Sequence, residues 1–495
     1  MHQQINTIAQ LKNSGWKSQS IKDEMRNNLI RKMKNNEPVF PGILGYDKTV
    51  IPQIQNAILA RHDLILLGLR GQAKTRILRM LVNLLDEYMP VVEGSEINDD
   101  PLNPISKFAK DRIDKMGDET PVAWVHREKR YGEKLATPDT TVADLIGDLD
   151  PIKAASLKLA LASEEVINYG LIPRTNRGIF VINELPDLQP RIQVALLNIM
   201  QERDIQIRGF NIRIPLDVSM AFSANPEDYT NRGNIITPLK DRIDSQIITH
   251  YPRNLETAVE ITKQEAWMER NGEVVVNVPD VYREILEAVA FEARESEYID
   301  QKSGVSTRMT ITAMEQAISA AERRAVINNE GETILRITDL YAMVPALTGK
   351  LELVYEGEQE GAVNVAKHII GKAINSVFKK IFPDPQKRRP EEDQKNPYAD
   401  ILNWFANGNL LEIPETLSNQ QYKATLDSVP GLSAAAKKYG GSKSEHLYPM
   451  MDLIIDALHQ NSKIGKDDID DTRTYTDMLG SMLGGMTGFD EDDFA

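Results

Sequence analysis

Cysteine is absent from the 495 residues, which excludes disulfides, thiolate metal sites and cysteine nucleophiles. Long apolar runs are also absent: none approaches the roughly 18 residues a membrane span needs. The chain begins Met1-His2-Gln3-Gln4, without the basic flank and apolar stretch of a secretion signal. A cytoplasmic protein with no membrane partner is therefore expected. Histidine is scarce and scattered, at His2, His62, His126, His250, His368, His446 and His459, and no two stand at metal-ligand spacing. Basic charge is the minority sign, 58 Lys and Arg against 73 Asp and Glu, for a net charge of −15. A protein that coats nucleic acid needs a basic footprint, so nucleic acid is not an expected partner.

What remains is the composition of a globular protein, 41% apolar and 26% charged, with length for two to four domains. The stretch that organises the chain is Gly68-Leu69-Arg70-Gly71-Gln72-Ala73-Lys74-Thr75. It follows the apolar run Leu64-Ile65-Leu66-Leu67, of buried-strand type, and leads into Arg76 to Leu85, where apolar residues recur at helical spacing. Strand, glycine loop, Lys-Thr and helix is the order that cradles a nucleotide phosphate. Small residues let backbone N–H groups turn inward, Lys74 would reach the β/γ oxygens, and the Thr75 hydroxyl would ligate Mg²⁺. The usual pattern has Gly before the Lys; here it is Ala73. Alanine fits without penalty only where φ stays negative.

A second buried strand, Gly178-Ile179-Phe180-Val181-Ile182, ends in Asn183-Glu184. In an open parallel sheet that edge is where ligands bind. The place of the usual Mg²⁺-holding Asp is taken by Asn183, and Glu184 is the candidate to polarise an attacking water. Residues Ile205 to Ile214 alternate apolar and polar around Gly209, as a hairpin does. The strand Val218 to Ala224 ends in Asn225, able to orient a water, and Asp241-Arg242 follows.

These elements, in this order, resemble AAA+ ATPases of the helix-2-insert group, which holds MoxR proteins and the magnesium-chelatase ATPase subunit. The resemblance covers roughly 38–350. It implies an α/β fold: a P-loop AAA+ core with a parallel sheet flanked by helices, then an α-helical lid and a small helical C-terminal module. It assigns phosphate binding to Gly68 through Thr75, Mg²⁺ to Thr75 and Asn183, and the catalytic base to Glu184. Asn225 takes the sensor-1 place, Arg242 that of an arginine finger acting on a neighbouring subunit, and Arg308 that of the sensor-2 Arg. ATP and Mg²⁺ are the implied cofactors. The implied partners are further copies of the chain in a ring, a hexamer, and a client or von Willebrand A-type protein in trans. The metal motif of such a partner, Asp-x-Ser-x-Ser, is broken here at Ala221 in Asp217-Val218-Ser219-Met220-Ala221.

The expected divisions are an N-terminal helical segment at 1–37 and a core at 38–252, with an insert at 135–162 and a hairpin at 203–215. A helical lid and extension at 253–382, a Pro- and charge-rich linker at 383–397 and a helical module at 398–460 follow. An acidic, flexible tail at 461–495 ends the chain. The function implied is a MoxR-type ATPase that remodels a partner protein. One alternative is the ATPase subunit of a magnesium chelatase; another, prompted by Ala73 and Asn183, is a nucleotide-gated scaffold with little hydrolysis.

Overall fold

The computed structural model describes residues 5–158, 163–207, 213–225, 233–270, 272, 274–386, 396–440, 447–469 and 472–478. The chain divides into two compact units, Met1–Tyr251 and Pro252–Ala495.

The first unit is built on a five-stranded sheet. Its strands are β1 (Leu64–Leu67), β2 (Tyr131–Leu135), β3 (Gly178–Asn183), β4 (Val218–Ala224) and β5 (Ser245–Ile248), in the spatial order β5-β1-β4-β3-β2. Every neighbouring pair is parallel. Parallel pairing forces each connection to cross a face of the sheet, so both faces are covered and the central strands become apolar throughout. The side chains divide accordingly. Leu64, Leu66, Ile179, Val181 and Ala221 enter one core with the helices Ile21–Lys34, Val50–Leu59 and Lys74–Met80. Ile65, Phe180, Ile182, Met220 and Phe222 enter the other, with the helix Pro190–Glu202. All the C-terminal strand ends then lie along one edge, the edge where the phosphate loop begins.

Residues 21–34, expected within a separate segment ending at 37, belong to this core. Ile21, Met25 and Leu29 are buried in it. The Arg130 guanidinium, 1% exposed, donates to both Glu24 oxygens at 2.7 and 2.6 Å. Lys22 pairs with Asp63 at 2.9 Å. The β2 and β5 strands were not foreseen: β2 is an edge strand of mixed polarity, and β5 is only four residues long. The segments Tyr88–Val92 and Val122–His126 pair antiparallel with each other, outside the main sheet. The insert is a short helix Val142–Leu145, a strand Gly147–Leu149 and a helix Pro151–Leu157, and its strand pairs with Ile167–Tyr169, beyond the expected end at 162. The hairpin is present as Asp204–Gln206 against Arg213–Pro215, and its tip, 208–212, lies outside the described residues.

The second unit is largely helical, with long helices Asp280–Glu295, Thr307–Ile327, Ala362–Ile381 and Leu447–Gln460 around one apolar core. The expected break between lid and C-terminal module is not a break in this core: Ile285, Ile369, Phe405 and Ile454 belong to the same cluster. The module is not wholly helical either. Leu411–Pro414, Thr472–Thr476 and Gly465–Ile469 form an antiparallel sheet in that order. The acidic tail expected from 461 thus supplies two strands before residue 477. Its acids masked an alternation, Thr472-Arg473-Thr474-Tyr475-Thr476, in which Arg473 and Tyr475 turn inward. Of the proposed linker, 387–395 lies outside the described residues, as does the tail beyond 478. Among the described residues, no helix is long and apolar enough to cross a membrane.

Candidate phosphate-binding site

The loop after β1 is held by the strands beside it. Gly68 N donates to Ala224 O of β4 at 3.2 Å, which puts Asn225, 5% exposed, next to the loop's first glycine. Thr249, just past β5, donates through Oγ1 to Gln72 Oε1 at 2.6 Å, and Tyr251 donates to Arg70 O at 2.9 Å. The Tyr46 hydroxyl donates to His250 O at 2.7 Å and to Gln72 O at 3.1 Å, and burial pushes its pKa up to about 12. These partners leave no room at position 68: a Cβ there would stand 2.0 Å from Thr249 Oγ1 and 2.2 Å from Gln72 Oε1. Only glycine permits so close an approach.

Lys74 is 7% exposed, and its ammonium turns back into the loop to donate to the carbonyls of Gly68 and, at 2.9 Å, Leu69. Gly71 has φ 74°. Ala73 does not meet the condition of a negative φ: it adopts φ 57°, ψ 15°, the left-handed region. Outside glycine that conformation costs roughly 1–2 kcal/mol, because Cβ crowds the carbonyl oxygen. Glu184 has the same conformation, φ 54°, ψ 50°. Backbone strain of this kind persists where the surroundings over-determine it, and it gathers at functional sites.

The Asn183 side chain, 5% exposed, joins three strands and the loop. Its Oδ1 accepts from Ser223 Oγ of β4 at 2.9 Å and from Thr75 Oγ1 at 3.5 Å, while Nδ2 donates to Glu133 Oε1 of β2 at 2.6 Å. Glu184 N in turn donates to Ser223 Oγ at 3.3 Å. Glu133 also takes a two-point contact from Arg79, Nε to Oε2 at 2.8 Å and Nη2 to Oε1 at 3.1 Å. The carboxylate pushes the Arg79 pKa above its ordinary range.

The residues fit a nucleotide phosphate with a hard divalent cation. Thr75 and Asn183 offer the oxygen ligands such a cation requires, and Glu133 adds a negative charge one hydrogen bond away. Among the described residues no cluster of three or more His, Asp and Glu offers a competing metal site.

The structure therefore gathers Gly68 to Thr75, Asn183, Glu184 and Asn225 at one sheet edge. It does not bring Arg242 to them: that side chain ends the helix Thr237–Arg242, 40% exposed, paired with Asp241 and accepted by Gln201 Oε1 at 3.4 Å. Arg308 belongs to the second unit, exposed in the first turn of Thr307–Ile327 behind the N-cap Ser306. The sequence reading missed Glu133, Thr249 and Tyr46. The alternation Tyr131-Gly132-Glu133-Lys134-Leu135 was the available signal for a strand at Glu133. Nothing local marks the other two.

The family model described as the Sigma-54 interaction domain matches residues 160–249, the stretch that carries β3, β4 and β5. The magnesium-chelatase 38 kDa subunit of Cereibacter sphaeroides is 27% identical over 233 residues, 46% of this chain and 64% of that protein. Its counterpart from Rhodobacter capsulatus is 26% identical over 236 residues, 46% of this chain and 61% of that protein. The chain thus spans a little under two thirds of these curated relatives. A crystal structure of NtrX from Brucella abortus in complex with ATP aligns over 86% of this chain and 72% of its own, at 12% identity and a TM-score of 0.37. A parallel sheet with a glycine loop after β1, Asn183-Glu184 at the end of β3 and the similarity to these sequence relatives support an AAA+ P-loop ATPase of the magnesium-chelatase group.

Proposed function

We propose that the chain binds ATP with Mg²⁺ and hydrolyses it, and that it does so as a ring of subunits acting on a partner protein in the MoxR manner. The observation that carries this is the assembly of Lys74, Thr75, Asn183 and Glu184 at one edge of a parallel sheet. Lys74 and the loop amides would hold the phosphates; bound Mg²⁺ would neutralise charge on the β- and γ-oxygens. Glu184, on a strained turn, would take a proton from water, and Asn225 on the adjacent strand end would orient it. The oxygens of Thr75 and Asn183 would hold the metal. Arg242, on an exposed helix end, would reach the site of a neighbouring subunit, and Arg308 would take the sensor role that the order of the motifs gives it. Hydrolysis by isolated subunits would then be slow.

Steady-state Mg²⁺-ATPase activity against protein concentration tests this, with Lys74→Ala, Glu184→Gln and Arg242→Ala in parallel. Turnover should rise with concentration and fall in all three variants. Tight ATP binding with no turnover at any concentration would leave a nucleotide-gated scaffold. The curated relatives favour a second reading, the ATPase subunit of a magnesium chelatase. It requires turnover that responds to the other chelatase subunits and a porphyrin.

A further inference from the structure

At the end of β3, Asn183 brings no charge to the metal side of the site, but its surroundings do. Its amide can be oriented in only one way by these partners. Ser223 and Thr75 present hydroxyl donors to Oδ1, and the Glu133 carboxylate accepts a hydrogen bond from Nδ2. Glu133 sits on β2 and reaches across to the end of β3, beside the register pair Leu135 and Asn183. Arg79, on the helix that follows the phosphate loop, fixes its two oxygens from the far side. The result is a chain Arg79, Glu133, Asn183, Thr75 in which the only negative group is one residue removed from the metal ligands.

We propose that Glu133 is a positioning residue that brings an acidic charge next to the metal ligands: through the Asn183 amide it keeps Oδ1 turned to the metal side and makes it a better acceptor. The proposal rests on the reading of Thr75 and Asn183 as Mg²⁺ residues. Its consequence is unusual. Restoring an acid at 183 should not improve the site, because a carboxylate there would stand about 2.6 Å from the Glu133 carboxylate. Two like charges at such a distance disfavour each other. Moving the charge, with Glu133→Gln and Asn183→Asp together, keeps one acid and one amide and should be tolerated.

The test is the Mg²⁺ concentration that half-saturates binding of a fluorescent ATP analogue, measured for the full chain, Glu133→Gln, Asn183→Asp and the double variant. Melting curves of all four separate loss of fold from loss of metal. Partners of metal ligands are typically worth 10–100-fold in metal affinity, so Glu133→Gln should raise the required Mg²⁺ about tenfold or more. Asn183→Asp alone should also raise it, and the double variant should return to within about threefold of the parent, a non-additive pair. Additive effects, or tighter Mg²⁺ binding by Asn183→Asp alone, would overturn the proposal. Failure of the parent chain to bind the analogue at any Mg²⁺ concentration would instead sink the nucleotide reading itself.

Discussion

Among the described residues up to Tyr251, eight that are not glycine have positive φ: Asn36, Arg61, Ala73, Asn98, Lys158, Arg177, Glu184 and Arg203. Among the described residues from Pro252 onward there are two, Asn329 and Ser462. Both units bury charge, in the first as Arg130 with Glu24 and Lys22 with Asp63, and in the second it lies within the helical core. Arg324, 3% exposed, pairs with Asp339, 4% exposed, and Asp452 accepts from Ile337 N at 3.0 Å and Tyr422 at 2.8 Å. Glu287 is buried against Thr262. Two of the eight in the first unit, Ala73 and Glu184, lie at the sheet edge that carries the phosphate loop. Charge in the core of the second fixes how its helices and small sheet meet, and it makes that unit sensitive to pH.

If this contrast is right, the largest effects on chemistry and the largest effects on stability fall in different units. Arg242→Ala should lower ATP turnover by about 10³–10⁵, the usual worth of an arginine finger, while nucleotide affinity and melting hardly change. Comparable turnover would remove Arg242 from the site. Arg324→Ala should destabilise by about 3–5 kcal/mol, since it leaves Asp339 buried without its cation. Denaturant titration reads this directly, and a change within about 0.5 kcal/mol would break the comparison from the other side.

A pH series sharpens it. Burial, opposed by hydrogen bonds from Thr262 and Thr310, pushes the Glu287 carboxyl up to about 7, above its ordinary value of 4.5. Between those values the folded form holds a proton that the unfolded chain has released. Its contribution is therefore complete below pH 4.5 and is lost as pH rises through about 7, up to about 3 kcal/mol. Glu287→Gln, which mimics the neutral form, should reduce the drop in melting temperature between pH 5 and pH 8. An unchanged drop would mean that Glu287 is not the group responsible. The smallest effect is expected at the loop: Ala73→Gly removes the Cβ from a left-handed residue and should stabilise the fold by about 1 kcal/mol, seen as a rise in melting temperature. A loss of stability there would argue that the strain is absent.

Residues 68–75 were legible in the sequence because a phosphate loop is a local object: strand, turn and helix are consecutive, and each leaves its own pattern. Asn183 and Asn225 were legible for the same reason, as polar residues that close apolar strands. The hairpin could be read from its period of two. The hidden parts depend on which strands become neighbours. Glu133 matters only because β2 lies beside β3, and Thr249 only because β5 lies beside β1. The shared core of the second unit was hidden for a related reason, since a Pro- and charge-rich stretch reads as a linker whether or not the segments it joins pack together.

By itself, then, the sequence determined the apolar strands, the glycine loop, the Lys-Thr pair and the acid at 184, all encoded in runs of a few residues. Only the tertiary structure decided that Ala73 would take a left-handed conformation, that Glu133 would stand beside Asn183, and that the acidic C-terminal segment would contribute two strands. Each of these depends on contacts between residues far apart in the chain, and their free energies exist only once the sheet order and the shared core have brought those residues together.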